Sequence, residues 1–446
     1  MATGIHDVVR ALQSIFTSRA DLAARETGFV RRSSKFTGSR CLQTLTFGWL
    51  QNPKATLNEL AQTATSLGTP MSPQGVDQRF GPRAAAFLER MLHEAVLRVI
   101  STDPVAIPLL QRFSGVCLLD STILTLPAVF ASAWPGYCRE GAEAGIKAQV
   151  RLNLLDGNLT GPFLSPANCN DQKGAIHKVA LPPGTLRLAD LGFFSLESLK
   201  QMSQQGVYWL TRVQVETRLI DAANRVWSLA EFLKAQSGDR IDVPMFLGRT
   251  HRLPCRVLGM RVPASVAAKR RRRLLRRDRD RGSSHRHRPH GRKVHPDRWA
   301  LAEWNFYVTN IPNEMLRVEE AWVLARCRWQ IELLFKLWKS EGHIDESRSK
   351  APWRILCEIY AKLLGMVVQH WVLLIGCWSH ADRSLVKASR TMRMHALSLA
   401  AVLSFGPLVY RILLNVRRCL ASGCRVSRRR RGPPTHQLLL DLPKAG

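Results

Sequence analysis

From residue 363 to residue 381 the chain carries no formal charge over nearly the length a bilayer requires, so this stretch must be buried. Gln369 and His370 interrupt it, and Glu358 and Lys362 sit in the amphipathic run just before it. Those polar positions favour a buried core helix over a membrane span. A core that encloses such a helix needs a large fold, and 446 residues are enough for two or three structural units. The 46% of hydrophobic residues places the chain with folded proteins. Its start, MATGIHDVVRALQSIF, lacks the long apolar run of a signal peptide. The ten cysteines form no Cys-x-x-Cys pair, which argues against a zinc ribbon and fits thiols in a reducing cytoplasm.

Charge narrows the partner. Lys and Arg number 65 against 34 Asp and Glu, a net +31, and the pI is about 10.8. Such a field points to a polyanion, most simply nucleic acid, with an anionic membrane surface or a ribosome as competing explanations. The excess is sharpest at residues 269–298, where 14 Lys and Arg face 3 Asp. A run of this kind inside a chain can grip a phosphate backbone without reading sequence, and Arg270, Arg271, Arg272 and Arg273 are its candidate contacts. His285, His287, His290 and His295 lie in the same run without carboxylate or Cys partners, a poor metal set.

Residues 1–110 read as all-helical. Thr56 with Glu59 has the capping-box spacing, and Ser72-Pro73 opens a second short helix after a turn through Gly68. Two short helices joined by a turn, within 56–80, suggest a helix-turn-helix with Gln74, Gln78 and Arg79 toward DNA. Strands follow from residue 115, in the order β-β-β-α-β-α-β, with a short helix expected over 172–179. The apolar run from Gly115 is expected to end at Asp120, and a fourth strand from Thr185 to end at Asp190. Residues 214–298 interrupt this layout with two hairpin strands and the basic run. The region 381–446 reads as helical with a basic tail.

Arg328, Glu332 and Lys339 then fall at i, i+4 and i+11, nearly one face of a helix, beside an apolar stripe of Ile331, Leu334, Phe335 and Trp338. Alone, this helix is equally readable as a solvated face of ion pairs. An Asp closing a strand is likewise more often a cap or turn residue than a catalyst. Together, however, three carboxylates at such positions form the ligand set that a pair of oxygen-seeking divalent cations needs.

The chain resembles bacterial insertion-sequence transposases of the DDE type, in the group with the signature Y-x2-R-x3-E-x6-K (the IS four family). Arg328-x3-Glu332-x6-Lys339 reproduces three of the four signature positions, and Asp120-Ser-Thr and Ala189-Asp190-Leu-Gly-Phe resemble the motifs around the first two acids. Trp304-Asn-Phe-Tyr-Val-Thr-Asn-Ile-Pro resembles the strand leading to the Glu helix. The signature Tyr is replaced by Ala325, which weakens the expectation of a hairpin-forming pathway.

The resemblance implies an α/β protein. An RNase H-like core (111–213 and 299–380) would be interrupted by a β-rich insertion (214–298), after an all-helical DNA-binding domain (1–110) and before a helical, basic C-terminal region (381–446). It implies Asp120, Asp190 and Glu332 as ligands of two Mg²⁺ ions, with Mn²⁺ able to substitute. Arg328 and Lys339, with Lys336, would hold DNA, and Trp304 would stack on a flipped base or serve as an ordinary core aromatic. The implied partners are double-stranded DNA (terminal inverted repeats and target) and a second copy in a synaptic homodimer, with no membrane. The implied place is the bacterial cytoplasm, at the nucleoid. The competing readings are a catalytically inactive transposase-derived DNA-binding protein and a membrane-associated basic protein.

Overall fold

A computed structural model describes residues 4–32, 35–137, 141–283, 295–380, 382–426 and 435–441. The chain divides into two compact units: the first takes residues 1–111, 118–180 and 329–440, the second 112–117 and 181–328. The fold class is mixed α/β.

The first unit is mainly helical. Helix Ile5–Phe16 buries Ile5, Val8, Val9, Leu12, Ile15 and Phe16, the i, i+3, i+4 pattern of a core-facing stripe. Helix Gly38–Gln51 starts at Thr37, whose side chain accepts from the Arg40 amide. The expected capping box is present: the Glu59 carboxylate accepts from the Thr56 amide at 2.6 Å, and Thr56 Oγ1 accepts from the Glu59 amide. It opens helix Leu57–Ser66, and Ser72 caps the single turn Pro73–Asp77 with Pro73 at its first position.

Residues 363–377 of the long apolar segment lie in helix Pro352–Cys377, whose most apolar stretch is 89% buried. Helices Gly38–Gln51, Pro82–Val96, Leu385–Ala401 and Gly406–Gly423 pack around it, so in this fold it is a core helix. Its buried charges are satisfied. Lys362 Nζ lies 2.7 Å from Glu358 and donates to the carbonyls of His343 and Glu346.

Three strands complete this unit: β1 (Gly115–Leu126, whose residues 115–117 belong to the second unit), β2 (Ala144–Asn153) and β3 (Leu159–Pro166), in the order β3-β2-β1. The expected end of β1 at Asp120 is wrong, because the strand runs six residues further, to Leu126. Thr122, Leu124 and Leu126 are buried between more exposed neighbours, so the inward alternation carries the strand through its polar centre. The helix expected at 172–179 is replaced by two 3-10 turns, Asp171–Lys173 and Ala175–Lys178. Gly174 between them is extended and sits where a Cβ would collide with the Gln149 side chain of β2.

The second unit holds seven strands: β4 (Thr185–Ala189), β5 (Tyr208–Thr211), β6 (Leu219–Ile220), β7 (Val226–Trp227), β8 (Arg240–Leu247), β9 (Leu253–Arg261) and β10 (Trp304–Thr309). They lie in the order β4-β5-β10-β9-β8-β6-β7. β4 and β5 are parallel, joined through helix Leu196–Gln204 as a parallel pair requires. The other pairs are antiparallel. The predicted hairpin β8–β9 is present, and β9 pairs along all six residues of β10, so the hairpin extends this sheet. The basic run begins as helix, within Ala264–Ser283.

Helix Val318–Cys327 is fixed in this unit by one carboxylate. Glu320, 1% exposed, accepts from both terminal nitrogens of Arg112 at 2.9 Å and from the Arg317 amide at 2.8 Å. Burial alone would raise the Glu320 pKa, but the hydrogen bonds from Arg112 and Arg317 hold it below the usual glutamate range. The charged form is therefore favoured in the fold. Its stabilisation is present above the unfolded pKa and is lost as pH falls through the lower folded one. Glu320→Ala strands the Arg112 guanidinium and should lower stability by about 3 kcal/mol, read by urea unfolding at neutral pH. The deficit against wild type should shrink as the buffer is made acid.

Candidate active site

Asp190 lies where the strand pattern places it, directly after β4, half-buried. The buried run Thr185–Leu188 holds the strand and delivers Asp190 to its carboxyl end beside the end of the parallel β5. There it lines a small recess, with about 20 Å³ of room for water, together with Leu188, Ala189, Leu210, Thr211, Arg212, Tyr307, Ala325 and Arg328. One aspartate, two arginines and a tyrosine thus line one small recess in the second unit. Such a cavity draws anionic oxygens to a place where a carboxylate can also bind a cation. The recess also shows what Ala325 does locally: its small side chain forms part of the wall. The Tyr307 ring packs 5.2 Å from the Trp322 ring, so the same helix that carries Ala325 supports the phenol.

The first unit carries the other two acids. Asp120 is half-buried in β1, where its Oδ1 accepts from the Ser121 amide at 2.8 Å, and Ser121 Oγ donates to Asp171. Asp171 also pairs with the buried Lys147 of β2 at 3.0 Å. Glu332 lies half-buried on helix Trp329–Ser340, whose Ile331, Leu334, Phe335 and Trp338 form the predicted buried stripe. Lys339 Nζ donates to the Ile123 carbonyl of β1 and stands 3.8 Å from Asp345, so a side chain of the Glu helix reaches the strand that carries Asp120. Arg328 departs from expectation. It is the C-cap of helix Val318–Cys327 and not part of the helix that holds Glu332 and Lys339. The chain passes between the two units at this residue.

Among the described residues, no three or more His, Cys, Asp or Glu side chains converge as a preformed metal cage. The carboxylates still suit Mg²⁺ chemically. That ion takes hard oxygen ligands and is commonly held by one or two carboxylates, with water and substrate phosphate completing its shell.

The DNA-binding candidates separate by exposure. Trp304 is 3% exposed within the core of the second unit, among Val257, Phe306 and Phe232, and the Arg261 guanidinium lies 4.6 Å from its ring centroid. In this conformation it is a core aromatic. Trp329, one turn before Glu332, is 53% exposed. Its position off the apolar stripe of that helix is the sequence signal that could have singled it out. Arg270 donates to the Trp304 carbonyl and to Asn305, and Arg271 pairs with Glu303. Burial, and then the neighbouring charge of Arg212, pull the Arg270 pKa down. Arg272 and Arg273 are exposed, as are Lys336, Gln74, Gln78 and Arg79. His295 caps helix Pro296–Leu301, while His285, His287 and His290 lie outside the described residues.

Comparison with known proteins bears on the whole of this arrangement. Residues 111–367 match the model of the transposase DDE domain. The chain is 29% identical over 367 residues to the transposase for insertion sequence element IS231F of Bacillus thuringiensis subsp. israelensis, which covers 77% of this chain and 74% of that protein. It is 23% identical over 371 residues to the transposase for IS1151 of Clostridium perfringens, covering 78% and 76%. It is 27% identical over 234 residues to the putative transposase InsL for IS186A of Escherichia coli strain K12, covering 50% and 60%.

The two tryptophans should behave oppositely on truncation. Trp304→Ala empties a core site and should lose about 3–5 kcal/mol in urea unfolding, whereas Trp329→Ala should leave stability within about 0.5 kcal/mol of wild type.

Proposed function

The chain belongs to the transposase DDE domain family, and starting from that membership we propose how its own residues cut and join DNA. It is a transposase, a DNA-cleaving and strand-transferring enzyme that depends on a divalent metal ion. The substrates we assign are the terminal inverted repeats of its insertion sequence and a target duplex, with two copies of the chain joining the ends. Asp120, Asp190 and Glu332 would be the metal-holding carboxylates of an RNase H-like core. Two Mg²⁺ ions, or Mn²⁺ in their place, would supply an activated attacking oxygen and stabilise the leaving one.

The protein's own part is to hold the strand. The observation that supports this reading most is the recess in which Asp190 shares space with Arg212 and Arg328. A phosphodiester drawn by the two guanidinium groups would present its oxygens beside the carboxylate. Lys339, placed against β1, keeps a cation on the Glu332 helix. A second grip is offered by helix Ala264–Ser283. Its Lys269, Arg272, Arg273 and Arg276 are exposed at i, i+3, i+4 and i+7, one face with neighbours about 5–6 Å apart. Arg270 and Arg271 fasten that helix to the protein and are not themselves the grip.

Mg²⁺-dependent nicking of duplexes carrying the element's ends should disappear in Glu332→Gln while binding persists; equal cutting by both proteins would remove Glu332 from the site. Changing Lys269, Arg272, Arg273 and Arg276 together to Ser should weaken binding to all duplexes alike. The log–log salt slope should become shallower by about 3.6 if all four contact phosphate. An unchanged slope would mean that this face is merely solvated.

A further inference from the structure

The helical part of the first unit presents a surface that phosphate gripping leaves unused. Helix Leu57–Ser66 buries Leu60, Ala61, Thr63 and Ala64. Its outer side carries Asn58, Gln62, Thr65 and Ser66, all exposed, at i, i+4, i+7 and i+8. No charged side chain stands at these positions, and Glu59 beside them is held in its capping box and by Asn52. On a protein of net charge +31, an exposed helix face made only of amides and hydroxyls calls for a reason. With Met71 and Pro73, Asn58, Gln62, Thr65 and Ser66 line an open groove.

The face is also rigidly mounted. Gly48 of helix Gly38–Gln51 lets helix Leu57–Ser66 approach so closely that a Cβ there would come within 2.8 Å of Leu60 Cδ2. The helix packs on Gly38–Gln51 on one side and on the turn Pro73–Asp77 on the other. A carboxamide offers a donor and an acceptor side by side, the pattern that matches adenine N6 and N7 in the major groove, and a threonine methyl suits the thymine methyl. Asn58 and Gln62 are separated by about 6 Å along the helix axis, roughly two base-pair steps. Charge complementarity with a polyanion comes from the chain as a whole and, close by, from the exposed Arg79.

We propose that this face reads base-pair edges in the major groove of the recognised DNA, an assignment that rests on the transposase function above. Asn58 and Gln62 each address an adenine and Thr65 a thymine methyl, while Gln74, Gln78 and Arg79 on and after the following turn meet the flanking backbone. Specificity thus resides mainly on the ten-residue helix and not on the one-turn helix after it.

The test is selection by full-length protein from duplexes with a randomised core, followed by the affinity ratio for the selected duplex over a scrambled one. Wild type should select a motif with two adenines about two steps apart. Asn58→Ala/Gln62→Ala should lose preference at those two positions, and its ratio should fall at least about tenfold. Its affinity for the scrambled duplex should stay within about twofold, and its melting curve should be unchanged because both residues are exposed. A double variant that keeps the ratio overturns the assignment and leaves the transposase reading intact, as does loss of the ratio in Gln74→Ala/Gln78→Ala instead. Wild-type protein that neither selects a motif nor cuts DNA overturns both.

Discussion

Much of the second unit depends on a single buried carboxylate. Glu320 receives Arg112 through two parallel hydrogen bonds and closes the first turn of its own helix through Arg317. Residue 112 lies three residues before β1, and residue 320 lies in the first turn of the helix that carries Ala325 and is capped by Arg328. One ion pair therefore ties the start of the strand region to the segment that delivers a guanidinium to the Asp190 recess. A buried charge is tolerable only when every oxygen has donors, and here both oxygens do. The geometry of the recess inherits that rigidity.

Local chemistry made part of this structure readable from residues alone. Thr56 and Glu59, Ser72 and Pro73, and the apolar run ending at Asp190 each carry their signal within a few positions, and each lies where that signal puts it. The hairpin β8–β9 was equally plain from its two alternating runs. What could not be read depends on partners distant in sequence. Arg112 and Glu320 are 208 residues apart, and neither stands out by itself. Asp120 looked terminal because the apolar run from Gly115 stops there, yet burial of Thr122, Leu124 and Leu126 pulls the strand onward. Trp304 fits a reading at a binding site and a reading in a core equally well until Arg261 and the strands beside it are in place. Arg212 and Tyr307 meet in the recess only through strand pairing, since they lie 95 residues apart and Tyr307 reads from the sequence only as part of the strand from Trp304.

Net charge overstates how many cations face a ligand. Arg256 is held by Asp242 and by the carbonyls of Ile311 and Leu316, and Lys362 by Glu358 and two carbonyls. Lys147 is committed to Asp171, and Arg270 to β10. These cations act as internal braces that stitch loops to elements. The exposed remainder is organised by helix periodicity: within four residues of one basic run, Arg270 and Arg271 turn inward while Arg272 and Arg273 turn out. Composition gives the sign of the partner, and the helix decides which residues meet it.

The packing around helix Pro352–Cys377 has a consequence for how the protein is made. The two helices that cover it from the N-terminal side, Gly38–Gln51 and Pro82–Val96, leave the ribosome first, yet the helix they pack on begins about 300 residues after the first of them ends. At roughly 5–20 residues per second, their apolar faces wait about 15–60 s for a partner. The amino-terminal helices are thus not a domain that can finish folding during synthesis. A message cut short before that helix yields chains whose first unit lacks its core helix, although the core of the second unit is already present.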